Sequence, residues 1–168
     1  MTTTKIQGIV SYPITPFSEK TGQVDLTAMR GLIDRLVDSG SHAIAPLGST
    51  GESAYLEDGE WDEVAQCCIS QVNKRLPVIV GISDLTTRNA IRKAQFAERA
   101  GTDAVMVLPV SYWKLNDTEI FRHYAAIADA ISVPIMVYNN PATSGIDMKP
   151  ELIAKIVKEI ANVTMVKE

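Results

Sequence analysis

The sequence predicts an α/β protein built on a parallel sheet, and three observations predict it. Helical and strand patterns alternate along the chain. The strand segments are continuous apolar runs, as expected of strands covered on both faces. Segments also recur: SGSHAI (Ser39–Ile44) is echoed by AGTDAV (Ala100–Val105), and LPVIVG (Leu76–Gly81) by VPIMVY (Val133–Tyr138). That is a period of about 60 residues for two βα units. Eight units would take about 240 residues, near the ~250 of a (β/α)8 barrel. A complete chain of 168 residues would equally suit a flavodoxin-like doubly wound sheet. The pattern alone leaves both architectures open.

The elements follow in order. GIVSYP (Gly8–Pro13) reads as the first strand. Asp25 can cap a helix whose Leu26, Met29, Leu32, Ile33, Leu36 and Val37 form one apolar stripe, ended by Gly40. Strand AIAPL (Ala43–Leu47) leads into the loop GSTGES. A helix around Trp61–Asn73 precedes strand PVIVG (Pro77–Gly81). Thr86 or Thr87 caps the next helix, which Gly101 stops before strand AVMVL (Ala104–Leu108). Asp117 opens a helix through Ile120, Phe121, Tyr124, Ile127 and Ile131. Strand PIMVY (Pro134–Tyr138) runs into the loop NNPATSG. Asp147 opens a helix with Leu152, Ile153, Ile156, Val157 and Ile160, and NVTMVK is the last strand. The expectation is six strands and five helices.

Composition excludes several classes. The chain is 46% hydrophobic and 21% charged, with a net charge of -4 and no basic block. A nucleic-acid partner or an acidic membrane surface is not expected. MTTTKIQGIV lacks the apolar run of a secretory leader, and no stretch approaches the ~18 apolar residues of a membrane helix. Cys67 and Cys68 are adjacent, without disulfide or zinc-ligand spacing. They read as small buried side chains in a reducing cytoplasm. His42 and His123 are the only histidines. They fall at a strand start and in mid-helix, so no metal is expected. No G-x-G-x-x-G or G-K-[ST] follows a strand, which argues against a nucleotide phosphate site.

The chemistry-bearing residues cluster at the C-terminal ends of predicted strands, where barrels and open α/β sheets both place their sites. Lys167 ends strand six. It is either a strand-end lysine reaching for solvent or a desolvated amine able to attack a carbonyl and form a Schiff base. Alternation puts Met165 and Lys167 on one face of strand six, and Met136 and Tyr138 on one face of strand five. If the two strands pair, Tyr138 and Lys167 reach the same mouth, where a phenol could move protons. GSTGE (Gly48–Glu52) sets Ser49 and Thr50 between glycines, whose backbone N–H groups can turn toward a small anion. In an eight-stranded barrel, strand two faces strand six across the mouth. A 2-keto acid could then lie with its ketone at Lys167 and its carboxylate at Gly48, Ser49 and Thr50.

Taken in order, GIVSYPITPF, GSTGES, SYW, YNNPATSG and VTMVKE resemble the dihydrodipicolinate synthase / N-acetylneuraminate lyase family of pyruvate-dependent class I aldolases. The resemblance implies a (β/α)8 barrel of which residues 1–168 form the N-terminal part, strands one to six. Two further strands, their helices and a C-terminal helical extension would lie beyond it. It implies Lys167 as the Schiff-base lysine, Tyr138 as the catalytic tyrosine, and Ser49 and Thr50 as the pair that holds the carboxylate and relays protons. Tyr112 matches the tyrosine that completes the relay across a subunit contact, so a homo-oligomer, dimer or tetramer, is implied. Pyruvate is the implied 2-keto acid, with no cofactor. Thr143 stands where the synthases carry an arginine that grips the aldehyde's carboxylate. That departure points to a 2-keto-3-deoxy sugar acid or N-acetylneuraminate-like substrate. The alternatives are dihydrodipicolinate synthase, a sugar-acid dehydratase on the same imine, and a non-catalytic half-barrel that binds a 2-keto acid.

Overall fold

The computed structural model describes residues 6–168; the opening MTTTK, on which part of the leader reading falls, lies outside the described residues. The strands are β1 (Val10–Ser11), β2 (Ala43–Ile44), β3 (Ile79–Gly81), β4 (Ala104–Val107), β5 (Ile135–Tyr138) and β6 (Val163–Lys167). The helices are α1 (Leu26–Asp38), α2 (Asp58–Val72), α3 (Thr87–Ala100), α4 (Asp117–Ala128), α5 (Pro141–Ser144) and α6 (Pro150–Glu159). Among the described residues, no helix is long and apolar enough to cross a membrane.

Among the described residues, every pairing between these six strands is parallel, and the order is sequential. β1 pairs with β2, and β3 to β6 form a continuous run. A parallel bridge between Ile44 and Val78 joins the two parts, and the Gly81 N–H donates to the Pro46 carbonyl at 3.0 Å. A doubly wound sheet would reverse order around an interior first strand; here β1 has β2 alone beside it. The sheet also curves back on itself. The Lys167 ammonium, on β6, lies 5.1 Å from the ring centre of Tyr12, just past β1.

Alternation along the strands divides the core in two. Ile44, Val78, Val80, Val105, Val107, Ile135 and Val137 face outward and pack with the helices. Ala43, Ala45, Ile79, Ala104, Met106, Leu108, Met136 and Tyr138 face inward and fill the barrel. The outer layer carries the larger load: Trp61, Ile33 and Tyr124 are fully buried there, each worth about 1.5–3 kcal/mol of apolar burial. The Tyr124 hydroxyl is satisfied by donating to the Val107 carbonyl at 2.7 Å. Cys67 and Cys68 belong to this layer, and burial pushes both thiols up.

Helix starts follow capping chemistry. Asp25 accepts from the Thr27 and Ala28 N–H groups at 3.0 and 2.9 Å, and Thr86 caps α3 through the Asn89 N–H. Two expected starts are corrected. Asn116, not Asp117, caps α4, in a reciprocal box with Glu119. Asp147 does not open α6, which begins at Pro150 after Lys149. Proline disfavours helical geometry at the residue before it. Residues just upstream are also held elsewhere: buried Asn139 exchanges hydrogen bonds with the Met148 backbone. Among the described residues the expected five helices become six, because PATS folds into the one-turn α5 that Pro141 starts and Gly145 ends at φ 70.

The β2–β3 contact is unusually close. A Cβ on Gly81 would sit 2.1 Å from the Leu47 carbonyl oxygen. Leu47 is already in the left-handed region at φ 61 and is buried, so its backbone has little freedom to retreat. Gly81→Ala is expected to cost about 3 kcal/mol, read as a lower urea midpoint. An unchanged midpoint would show that the strand pair can separate freely.

Candidate active site

The site forms where β5 and β6 end together. Tyr138 is the register partner of Lys167, and the Lys167 Nζ stands 3.5 Å from the centre of the Tyr138 ring. A bulge makes this possible. Ile135 pairs with Val163, but Met136 pairs with Met165, so Thr164 is the extra residue. Val163 packs with the outer core and Met165 with the inner one. Had Thr164 paired with Met136, every later side chain of β6 would face the other way. The extra residue turns Lys167 inward. The Asn139 N–H then locks the strand end by donating to the Lys167 carbonyl at 2.9 Å.

Tyr138 is 7% exposed, and Asn140 donates to its hydroxyl at 2.7 Å. Burial alone would raise its pKa. Hydrogen bonding with Lys167, Asn140 and Ser49, and the Lys167 charge, outweigh burial and hold the group below its ordinary value. Tyr12 moves the other way: burial first, then the charge on a Tyr138 phenolate, holds it above its ordinary value. Of the two phenols, Tyr138 is the one that gives up its proton first.

A cavity of about 490 Å³ opens beside Tyr138, within the size range of small-molecule sites; Lys167 is not among its lining residues and reaches it through the Tyr138 ring. Gly48, Ser49, Met106, Leu108, Tyr138 and Thr143 are among its lining residues. The GSTG loop is held over it by close backbone packing. A Cβ on Gly51 would meet the Leu47 nitrogen at 3.0 Å, and buried Thr15 donates to the Gly51 carbonyl at 2.7 Å. Strained backbone at Leu47, next to the mouth, is the kind of outlier that gathers at functional sites.

The structure therefore brings together Lys167, Tyr138, Ser49, Gly48 and Thr143. Thr50 is exposed on the same loop and does not line the cavity. Tyr112 stands clear of it, 86% exposed and edge-on to Trp113. Both histidines serve the fold: His42 accepts from the Ile9 N–H at 3.0 Å, and His123 pairs with Thr87 at 2.9 Å. Two neighbours of the pair carry no role in the sequence reading. Tyr12 follows β1 at the same sheet end, so the strand-end rule that picks out the other residues also reaches it. Asn140, two residues past Tyr138, is hidden in a segment that reads as a loop.

Sequentially ordered parallel strands, with a lysine and a tyrosine at their C-terminal ends, define the lysine-bearing part of a (β/α)8 barrel. The chain belongs to the dihydrodipicolinate synthetase family, whose model matches residues 5–168. It is 38% identical to a 4-hydroxy-tetrahydrodipicolinate synthase of Methylobacterium radiotolerans, over 100% of this chain and 55% of that protein. A Pseudomonas aeruginosa structure, provisionally named dihydrodipicolinate synthetase, is 60% identical with a TM-score of 0.96, over 98% of this chain and 56% of that one. A prophage protein of the same family from E. coli K12, solved in complex with pyruvate, is 33% identical with a TM-score of 0.91, over 96% of this chain and 54% of that one. The chain thus spans about half the length of the relatives it matches.

Proposed function

We propose that these residues, in a polypeptide that completes the barrel, form a Schiff-base lyase or aldolase joining or separating pyruvate and an aldehyde. The observation that carries the reading is the Lys167 amine 3.5 Å from the ring centre of Tyr138 on the adjoining strand. The amine adds to the ketone carbon of a 2-keto acid, and water leaves as the imine forms. In the cleavage direction, a hydroxyl proton is removed and the carbon–carbon bond beta to the nitrogen breaks. Its electron pair moves into the iminium to give an enamine, and an aldehyde departs. Protonation of the enamine carbon and hydrolysis then release pyruvate. Tyr138 moves the protons, with Ser49 beside it and Thr50 next along the loop. The 2-keto acid's carboxylate rests on Gly48, Ser49 and Thr50. The pyruvate complex of the E. coli relative supports pyruvate as the 2-keto acid.

A 2-keto-3-deoxy sugar acid or N-acetylneuraminate-like compound is the substrate we favour, because Thr143 lines the cavity and cannot form a bidentate pair with a carboxylate. The second reading is 4-hydroxy-tetrahydrodipicolinate synthase, the name that similar relatives carry. A panel of 2-keto-3-deoxy sugar acids, assayed for pyruvate release, separates the two. At least one is expected to turn over, with kcat/KM for aspartate semialdehyde plus pyruvate about 10–100-fold lower, the worth of a lost charge-assisted contact. Preferred turnover of aspartate semialdehyde would establish the second reading instead. We further place the protein in the cytoplasm, which its two buried free thiols support. We also place it in a homo-oligomer, in which exposed Tyr112 meets a second copy.

A further inference from the structure

On the aldolase reading an aldehyde partner occupies the cavity beyond Tyr138, whose largely apolar wall carries a pair of charged groups. Asp84, past the end of β3, and Lys93, on α3, both line it with Ser49, Tyr138 and Thr143. Lys93 is 4% exposed. Its ammonium lies 2.9 Å from Asp84 Oδ2 and 5.5 Å from the ring centre of Trp61. Lysines are almost never buried this deeply. A buried ion pair is weak evidence of stabilisation, since apolar replacements are often as stable. Asp84 is fixed from its other oxygen, which accepts from the Thr86 N–H at 3.1 Å. Lys93 spends one of its three N–H donors on Asp84.

We propose that Asp84 and Lys93 are a specificity-determining pair that selects an aldehyde bearing neutral hydroxyls, with Lys93 donating to a hydroxyl and Asp84 accepting from one. This rests on the aldolase reading above. A hydroxyl both donates and accepts, so it matches a donor beside an acceptor. An apolar chain would leave the pair facing nothing that can solvate it. A carboxylate would have to compete with Asp84 for Lys93, the only cation among the residues described as lining the cavity. Glu52 and Asp58 line it too, and Asp58 is already held by Arg92 at 3.1 Å. The wall therefore carries an excess of negative charge. Thr143, neutral and hydroxylated, completes the same preference.

The test is a ratio of kcat/KM values for condensation with pyruvate, measured on the barrel-complete protein. Glyceraldehyde is compared with propanal, which has the same carbon skeleton without hydroxyls, and with succinic semialdehyde, which is anionic. The unmodified protein is expected to favour glyceraldehyde over either by roughly tenfold or more. The double substitution Asp84→Ala with Lys93→Met removes both charges together, leaving no lone buried ion. It is expected to bring the glyceraldehyde-to-propanal ratio near one; the ratio cancels any effect common to pyruvate loading. A ratio that survives the double substitution overturns the assignment. So does a ratio near one in the unmodified protein, which decides the matter even if the double variant does not fold. Failure of the unmodified protein to form a pyruvate adduct at Lys167 overturns the aldolase reading and this assignment with it. Adduct formation without the hydroxyl preference overturns this assignment alone.

Discussion

Pyruvate and borohydride, applied together to the barrel-complete protein, are expected to add one reduced pyruvyl group at Lys167, and Lys167→Ala is expected to take none. The expectation rests on which amines can reach a bound ketone. Lys155 and Lys158 lie on exposed positions of α6, outside the barrel, with Lys155 set over the Phe121 ring. Lys93 is the serious competitor, because it lines the cavity beside Tyr138. Its ammonium is committed to Asp84 at 2.9 Å and would have to break that pair to attack. Among the described residues, no carboxylate lies at such a distance from Lys167; it faces the rings of Tyr12 and Tyr138. Peptide mass spectrometry reads the labelled site. Label on Lys93, or label retained in Lys167→Ala, would overturn the mechanism. Label at Lys167 with no turnover of any aldehyde or sugar acid would instead identify a module that binds a 2-keto acid.

The parallel architecture was legible because buried strands write themselves as apolar runs, and AVMVL and PIMVY are unmistakable in that respect. Alternation gave the faces within each strand, and the meeting of Tyr138 with Lys167 was legible only on the condition that strands five and six pair; the reason the facing holds was not legible. A bulge at Thr164 looks like any other residue of a strand, and a strict count from Val163 would give the wrong facing relative to β5. The α6 start was misread for a related reason. Asp147 is a good capping type, but Asn139 claims the Met148 backbone from nine residues away, and no local pattern carries that. Leu47 is harder still: a buried leucine at φ 61 follows from the β2–β3 approach at Gly81, not from its own preferences. Lys93 sat in a helical segment whose cationic residues look solvated, and its burial depends on Asp84 arriving from the preceding turn.

Tyr138→Phe is expected to lower kcat by about 10²–10⁴-fold, the usual worth of a positioned proton-transfer group, while pyruvate labelling of Lys167 persists. Phenylalanine keeps the ring on which the lysine rests and removes only the hydroxyl. The pH dependence gives an independent signature. Burial pushes the Tyr138 hydroxyl up, but hydrogen bonding with Lys167, Asn140 and Ser49 outweighs it, so the group ionises below its ordinary value. A step that needs the neutral hydroxyl as donor must then fail on the alkaline side at a pH below the ~10 of a free tyrosine. Asn140→Ala removes the donor 2.7 Å from that oxygen and is expected to move the alkaline limb upward; Tyr138→Phe is expected to erase it. Stability at neutral pH is silent on this point. A depressed folded-state pKa adds stability above the unfolded value near ~10, and that contribution is lost as pH falls through the folded value. The readout is therefore kcat against pH. An alkaline limb that persists in Tyr138→Phe would assign it to another group. Loss of labelling in step with kcat would make Tyr138 a support for the lysine rather than the group that moves the proton.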